Sequence, residues 1–311
     1  MLLTGKELIV ILGPTAVGKT SLAIQMAQAL DGEIVSADSR QIYREMDIGT
    51  AKPTPEQRAQ AVHHLIDVVA PDEDLSLAQY QRLAYNAIDA IHQKQRQPLL
   101  VGGTGQYITA VLEGWSIPEV PPNIALRAKL EAFTAERGVE ALYARLLEVD
   151  PEAGNFVESR NTRRIIRALE VCIETGRPFS EQRGKNPPDY QVLTYGLTME
   201  RERLYQRADQ RVLDMIADGF LDEVRGLLAK GYSGLLPSMS ALGYRELAAH
   251  LLDGVPLSQA VEAAQIATHN FIRRQYTWFR GHNHGILWHN VEEFAPDTLI
   301  GEATDWLASQ R

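Results

Sequence analysis

Cysteine is nearly missing from this 311-residue chain: Cys172 stands alone, so neither a disulfide framework nor a cysteine-based zinc site can form. No uninterrupted apolar run reaches the length that crosses a bilayer. Met1-Leu2-Leu3-Thr4-Gly5-Lys6 runs straight into the first apolar stretch, with no room for a signal peptide. A cytoplasmic protein with no membrane partner is expected. The eight histidines have no metal-ligand companions at the usual spacings. Positive charge is in deficit, 31 Lys and Arg against 40 Asp and Glu, for a net charge of -9. That excludes indiscriminate nucleic-acid binding and demands a local basic surface for any such partner. Apolar residues are plentiful at 45%, enough for a substantial core and more than one domain.

The most informative stretch is Leu8 to Thr20. A short run of Ile, Leu and Val reads as a buried strand. It passes directly into Gly13-Pro14-Thr15-Ala16-Val17-Gly18-Lys19-Thr20 and then an Ala/Leu-rich helix. This is the strand, loop and helix order of a P-loop. Glycines let backbone N–H groups turn inward as an anion nest, the helix N-terminus adds its dipole, Lys19 neutralises phosphate, and the Thr20 hydroxyl suits Mg2+. At least two linked phosphates should bind here.

A second strand over 33–37 delivers Asp38-Ser39 at its carboxyl end, where ligands of open parallel sheets sit. His63-His64-Leu65-Ile66-Asp67-Val68 reads as another short strand, its histidines structural. Ser76 should cap a helix reaching about Gln95. Leu99-Leu100-Val101 is a strand that ends in Gly102-Gly103-Thr104-Gly105, where a nucleotide hydrolase would place an acidic residue for its metal. Asp38, on a different strand, is then the carboxylate nearest the phosphates.

The prolines of 116–122 form a hinge, and from there to about Arg183 the pattern is helical without strands. We expect an α/β fold, a P-loop NTPase-like parallel sheet flanked by helices, with an inserted all-helical domain. The core covers 1–115 and 190–311 and the insertion 116–189. Within the insertion Arg160, Arg163, Arg164 and Arg167 line one helical face, opposite Ile165, Ile166, Leu169, Cys172 and Ile173, and the net charge over 158–186 is +3. Spacing alone leaves a solvated face and a nucleic-acid contact level. The chain re-enters the core at 192–197. Arg203, Arg207 and Arg211 then follow in four-residue steps. A last long helix, capped near Ser258, mixes aromatic and basic residues over 268–280, and only a short amphipathic tail follows Trp288.

With these pieces in view the sequence resembles the tRNA dimethylallyltransferase family. The resemblance rests on the P-loop, Asp38-Ser39-Arg40-Gln41-Ile42-Tyr43, Asp47-Ile48-Gly49-Thr50-Ala51-Lys52-Pro53, His63 to Asp67, Gly102 to Gly105, Arg167 to Val171, Gly243-Tyr244-Arg245 and Arg274 to Arg280, and covers nearly the whole chain. It implies transfer of a five-carbon group from dimethylallyl diphosphate to the exocyclic amine of the adenosine 3′ of the anticodon. It also implies a channel with donor and flipped-out base entering from opposite mouths. Carried over by position, Asp38 is the base and Thr104 lies near the reacting adenosine. Lys19, Thr20 and Arg211 hold diphosphate and Mg2+. Ser39, Arg40, Gln41, Arg127, Arg163, Arg164, Ile165, Ile166, Arg167, Ser240, Ala241, Leu242, Gly243, Tyr244 and Arg245 fall, with Asp38, in tRNA-contacting segments. A monomer is expected.

The chain departs from the pattern at Thr268-His269, where the family usually shows Thr-Arg. It carries no appended zinc finger, so the bacterial form is expected. The competing readings are a small-molecule kinase using ATP and an RNA-binding switch ATPase. The kinase would need a second magnesium-supporting carboxylate and an adenine pocket, neither of which the sequence locates. The switch ATPase, which the arginine helix allows, is disfavoured by the missing acidic residue at the end of the Leu99–Val101 strand.

Overall fold

The computed structural model describes residues 6–282 and 285–310. It divides into two compact units, Met1–Val111 with Asp189–Arg311, and Leu112–Pro188. Six strands form the sheet of the larger unit: β1 (Glu7–Leu12), β2 (Gly32–Ser36), β3 (His63–His64), β4 (Gln97–Gly102), β7 (Gln191–Thr198) and β8 (Leu287–Asn290). Their order is β3-β2-β4-β1-β7-β8, and neighbours are parallel throughout. The intervening β5 (Trp115–Ser116) and β6 (Gly184–Lys185) pair antiparallel in the smaller unit.

β1 is wholly buried, with Ile9 beside Leu99 on one side and Leu193 on the other, which is why its sequence is an unbroken apolar run. α1 (Lys19–Ala29), α2 (Pro55–Gln60), α3 (Leu77–Gln93) and α4 (Gly105–Glu113) follow β1 to β4. α3 starts at a capping box: Ser76 Oγ accepts from Gln79 N, and Gln79 Oε1 accepts from Ser76 N. After β7 come α8 (Arg201–Ala217), α9 (Phe220–Ala229), α10 (Tyr244–Asp253), α11 (Leu257–Gly281) and, beyond β8, α12 (Pro296–Ser309).

Three local features differ from the sequence reading. The strand expected over 63–68 stops at His64, because Leu65 and Asp67 take left-handed φ of 63° and 58° and Asp67 turns to meet Lys52 and Arg58. α11 starts behind Pro256 with no side-chain cap, so Ser258 lies inside the helix. The tail after Trp288 is not peripheral: β8 pairs Tyr195 with Leu287 through Thr198 with Asn290, and Leu299, Ala303 and Leu307 of α12 enter the main core.

In the smaller unit α5 (Ile124–Arg137), α6 (Val139–Val149) and α7 (Thr162–Thr175) pack Leu130, Leu142, Leu146, Ile165, Leu169 and Cys172 into a core of their own. The β5–β6 pair flanks the stretch from the proline hinge to about Arg183, which is helical without strands. Ile173, assigned to the apolar stripe of α7, is 46% exposed.

Candidate active site

The loop after β1 is shaped by backbone that few residues tolerate. Gly13 has φ 145°, and a Cβ there would lie 2.5 Å from Leu197 O on the neighbouring β7, so only glycine fits. Ala16 and Gly18 are left-handed, with φ 64° and 105°. This alternation turns successive N–H groups to one side as a nest at the N-terminus of α1. Lys19 Nζ donates to Pro14 O at 2.6 Å, folding the side chain back over the loop. Burial pushes the Lys19 ammonium down to about 8, with Asp38 opposing the shift and Arg211 adding to it.

Asp38 leaves β2 in a side-chain turn: Oδ1 accepts from Arg40 N at 2.8 Å and from Gln41 N at 3.4 Å. Both bonds fall on Oδ1, so the orientation of the carboxylate is set while Oδ2 stays outside the turn. Thr104, after β4, joins the same turn. Its Oγ1 accepts from Ser39 N at 3.0 Å, and its N–H donates to Ala37 O at 3.1 Å.

Two cavities meet at this point. One, of about 490 Å³, reaches from Gly18, Lys19 and Thr20 past Ala23 and Ile34 to Pro53 and His63, with Arg207 and Arg211 on its far wall. The second, of about 200 Å³, is lined by Ser39, Thr104, Phe220, Ser240, Leu242, Gly243, Phe271 and Arg274, among others. Lys19, Asp38 and Arg211 line both. The first mouth is thus basic, with the chemistry of a phosphate site. The second offers aromatic and apolar walls suited to a planar base. A carboxylate stands on the wall they share.

The arginine row of α8 divides. Arg203 turns away to Glu292 at 2.8 Å. Arg207 extends over the loop, its Nη2 3.8 Å from where a Gly18 Cβ would lie. Half-buried Arg211 lies one turn further on, its guanidinium lowered by burial and supported by Asp38. From α11 comes a contribution that spacing did not reveal: Gln275, 5% exposed, accepts from Thr15 N at 2.9 Å and donates to Gly103 O at 2.9 Å. His269 bonds Asp209 at 2.8 Å and stacks on Tyr205, so its ring is engaged with α8. His64 meets buried Glu33 at 2.6 Å, and His63 Nδ1 lies 2.8 Å from Ala61 O. Among the described residues no group of three or more His, Cys, Asp or Glu could hold a metal ion. No helix among them is long and apolar enough to cross a membrane.

Comparison with known proteins bears on this geometry. A family model described as IPP transferase matches residues 41–282. A tRNA dimethylallyltransferase of Roseiflexus castenholzii is 58% identical over 273 residues, 88% of this chain and 89% of that protein. The chain belongs to the IPP transferase family. The solved tRNA isopentenylpyrophosphate transferase of Bacillus halodurans superposes with TM-score 0.71 at 38% identity, covering 98% of this chain and 96% of that one. A eukaryotic dimethylallyltransferase whose structures are described as acting on tRNA gives TM-score 0.83 at 26% identity, covering 98% and 80%.

Family membership sharpens what the structure says about the residues carried over from the resemblance. Thr15, Ala16, Gly18, Lys19 and Thr20 of the loop after β1 come together with Asp38, Thr104 and Arg211 around the two cavities. Ser39, Ser240, Leu242 and Gly243 line the second, as does Arg40, whose Nη1 donates to Pro237 O. Gln41 lines the first and spends its amide on Thr50 O and Ala51 O. Three expectations need correction. Ile165 and Ile166 are buried in the helical core, and Tyr244 is wholly buried with its hydroxyl donating to Glu223 Oε1 at 2.5 Å. Their side chains cannot reach a polyanion. The arginine face of the smaller unit also divides. Arg163 and Arg164 are exposed, whereas Arg127 and Arg167 both turn onto Glu170, which is 0% exposed. Arg127 makes a two-pronged contact at 2.8 and 2.7 Å, and Arg167 adds one at 2.6 Å along with bonds to Val120 O and Pro118 O.

Proposed function

We propose that this IPP transferase moves the dimethylallyl group of dimethylallyl diphosphate to the exocyclic N6 of the adenosine 3′-adjacent to the anticodon in tRNA, releasing diphosphate. The observation that carries the reading is one carboxylate, Asp38, on a wall common to a basic cavity and an aromatic one. The ATP-dependent kinase weighed from sequence is not favoured by the family.

In the proposed reaction the donor's diphosphate lies in the loop nest, against Lys19, Arg211 and Arg207, with its C1 toward the shared wall. The adenine enters by the second mouth between the Phe271 and Phe220 side. The N6 nitrogen forms a bond to C1 as the C1–O bond to diphosphate breaks, and the proton leaving N6 goes to Asp38. Negative charge accumulates on the departing diphosphate, so the nest, Lys19 and Arg211 are worth most in the transition state. Thr104 holds the Asp38-Ser39 turn in register. For Mg2+, the Thr20 hydroxyl in the first cavity would be the ligand from the loop, which fits an ion that keeps waters and takes the rest of its oxygens from substrate phosphate, and leaves Asp38 free to act as the base. Such an ion would supply further neutralisation of the leaving group.

The exposed Arg163 and Arg164 are read as contacts to the tRNA backbone, a local basic surface on an otherwise acidic chain. A monomeric working unit and a cytoplasmic location are proposed with this reading. The test is to incubate the protein with undermodified tRNA and either dimethylallyl diphosphate or ATP, then weigh the tRNA. A gain of one dimethylallyl group per molecule, from the first donor only, is expected. An unchanged mass with the prenyl donor, or a phosphate gained from ATP, would overturn the reading.

A further inference from the structure

Gln275 is the one α11 side chain that bonds both the phosphate-binding loop and the end of β4. Its amide orientation is fixed by its partners: Oε1 takes the Thr15 N–H and Nε2 gives to Gly103 O. The fit at Gly103 is close, for a Cβ there would lie 2.3 Å from Nε2. The Thr15 N–H belongs to the same planar unit as the Pro14 carbonyl, and in a trans peptide the two point in opposite directions. Lys19 Nζ donates to that carbonyl at 2.6 Å. The buried amide therefore holds one face of a peptide whose other face holds the ammonium.

We propose that Gln275 is a positioning residue that sets Lys19 for the diphosphate by fixing the Pro14–Thr15 peptide plane. The inference rests on the reading of the loop as a diphosphate site. With Gln275 gone, the Thr15 N–H loses its acceptor and the peptide is free to rotate toward the nest. The Pro14 carbonyl then no longer directs the ammonium. The group suffers because it is half-buried, where an undirected cation gains little from phosphate and keeps its burial cost. The bond from Gln275 to Gly103 O also ties this peptide to the strand end that carries Thr104, so the loop and the Asp38-Ser39 turn keep a common reference.

The test is a double-mutant cycle on binding of inorganic pyrophosphate with magnesium, measured calorimetrically and requiring no transfer reaction. Gln275→Met keeps volume and burial while removing both hydrogen bonds, and should weaken pyrophosphate about tenfold, the worth of one orienting hydrogen bond. Gln275→Ala is the second variant, and a denaturation profile of each records folding. In a Lys19→Ala background the same substitutions should add less than twofold. An equal loss in both backgrounds, or no loss in the wild-type background by a folded variant, would overturn the inference. The dimethylallyltransferase reading fails separately, through tRNA that gains no mass while the cycle still closes as described.

Discussion

Glu170 is where sequence spacing and structure give opposite advice about the same arginines, so replacing it separates bracing from binding. The carboxylate is fully buried and accepts from Asn123 N at 2.8 Å, from Arg127 twice and from Arg167 once. Burial by itself raises the Glu170 carboxyl, but bonds from Arg127, then Arg167 and Asn123 N, outweigh it and hold the group below its ordinary 4.5. Glu170→Ala strands two part-buried guanidiniums and should cost about 3–5 kcal/mol, the usual cost of breaking a buried pair from one side. Arg127→Ala leaves Arg167 in place and should cost about 1.5–3 kcal/mol. Arg163→Ala and Arg164→Ala, on exposed side chains, should stay within about 0.5 kcal/mol. The pH sign follows from the depressed folded value: the stabilisation is full above the unfolded pKa and is lost as pH falls through the folded one, so Glu170→Gln should flatten the acid limb of the stability profile. Urea unfolding gives the energies. tRNA dissociation constants over a salt series give the binding role, since each phosphate that is no longer neutralised should lower the slope by about 0.9. A shallower slope for Arg127→Ala with unchanged stability, beside an unchanged slope for the Arg163→Ala/Arg164→Ala pair, would refute the division.

Donor binding offers two further outcomes. Because burial pushes the Lys19 ammonium down to about 8, pyrophosphate affinity should decline as pH rises through that value, and Lys19→Met should lose this limb while binding weakly throughout. A limb that survives in the variant would assign it to another group. Arg207→Ala should raise the Michaelis constant for dimethylallyl diphosphate, while Arg203→Ala, whose guanidinium is held by Glu292, should leave it within twofold. The reverse pattern would contradict the placement of the α8 row.

What was readable in the sequence was local. The P-loop states its geometry in eight consecutive residues, and the apolar runs of β1, β2 and β4 announce buried parallel strands, so Asp38 and Thr104 could be placed at strand ends from the residues alone. The remainder depends on partners far apart in the chain. Arg127 and Glu170 are 43 residues apart, and Thr15 and Gln275 are 260 apart. A helical wheel sorts α7 into faces but cannot say that a glutamate on the buried side will draw in Arg167. β8 was missed because four residues with two exposed side chains, Leu287 and Trp288, carry neither alternation nor a long apolar run. In the sequence the Asp47 to Pro53 segment speaks only through the family resemblance. The structure gives it a cause: Lys52, its side chain 1% exposed, bonds Tyr43 O, Asp47 and Asp67, and Glu223 accepts from the N–H groups of Asp47, Ile48 and Gly49.

The central claim is that the carboxylate between the two cavities takes the proton from the acceptor amine. Asp38→Asn keeps size and the turn that Oδ1 makes with Arg40 N, and removes only the basic oxygen. Single-turnover transfer should fall by about 10² to 10⁴ at saturating tRNA and dimethylallyl diphosphate, with both dissociation constants within a few-fold of wild type. A variant that transfers within a few-fold of the wild-type rate would contradict it.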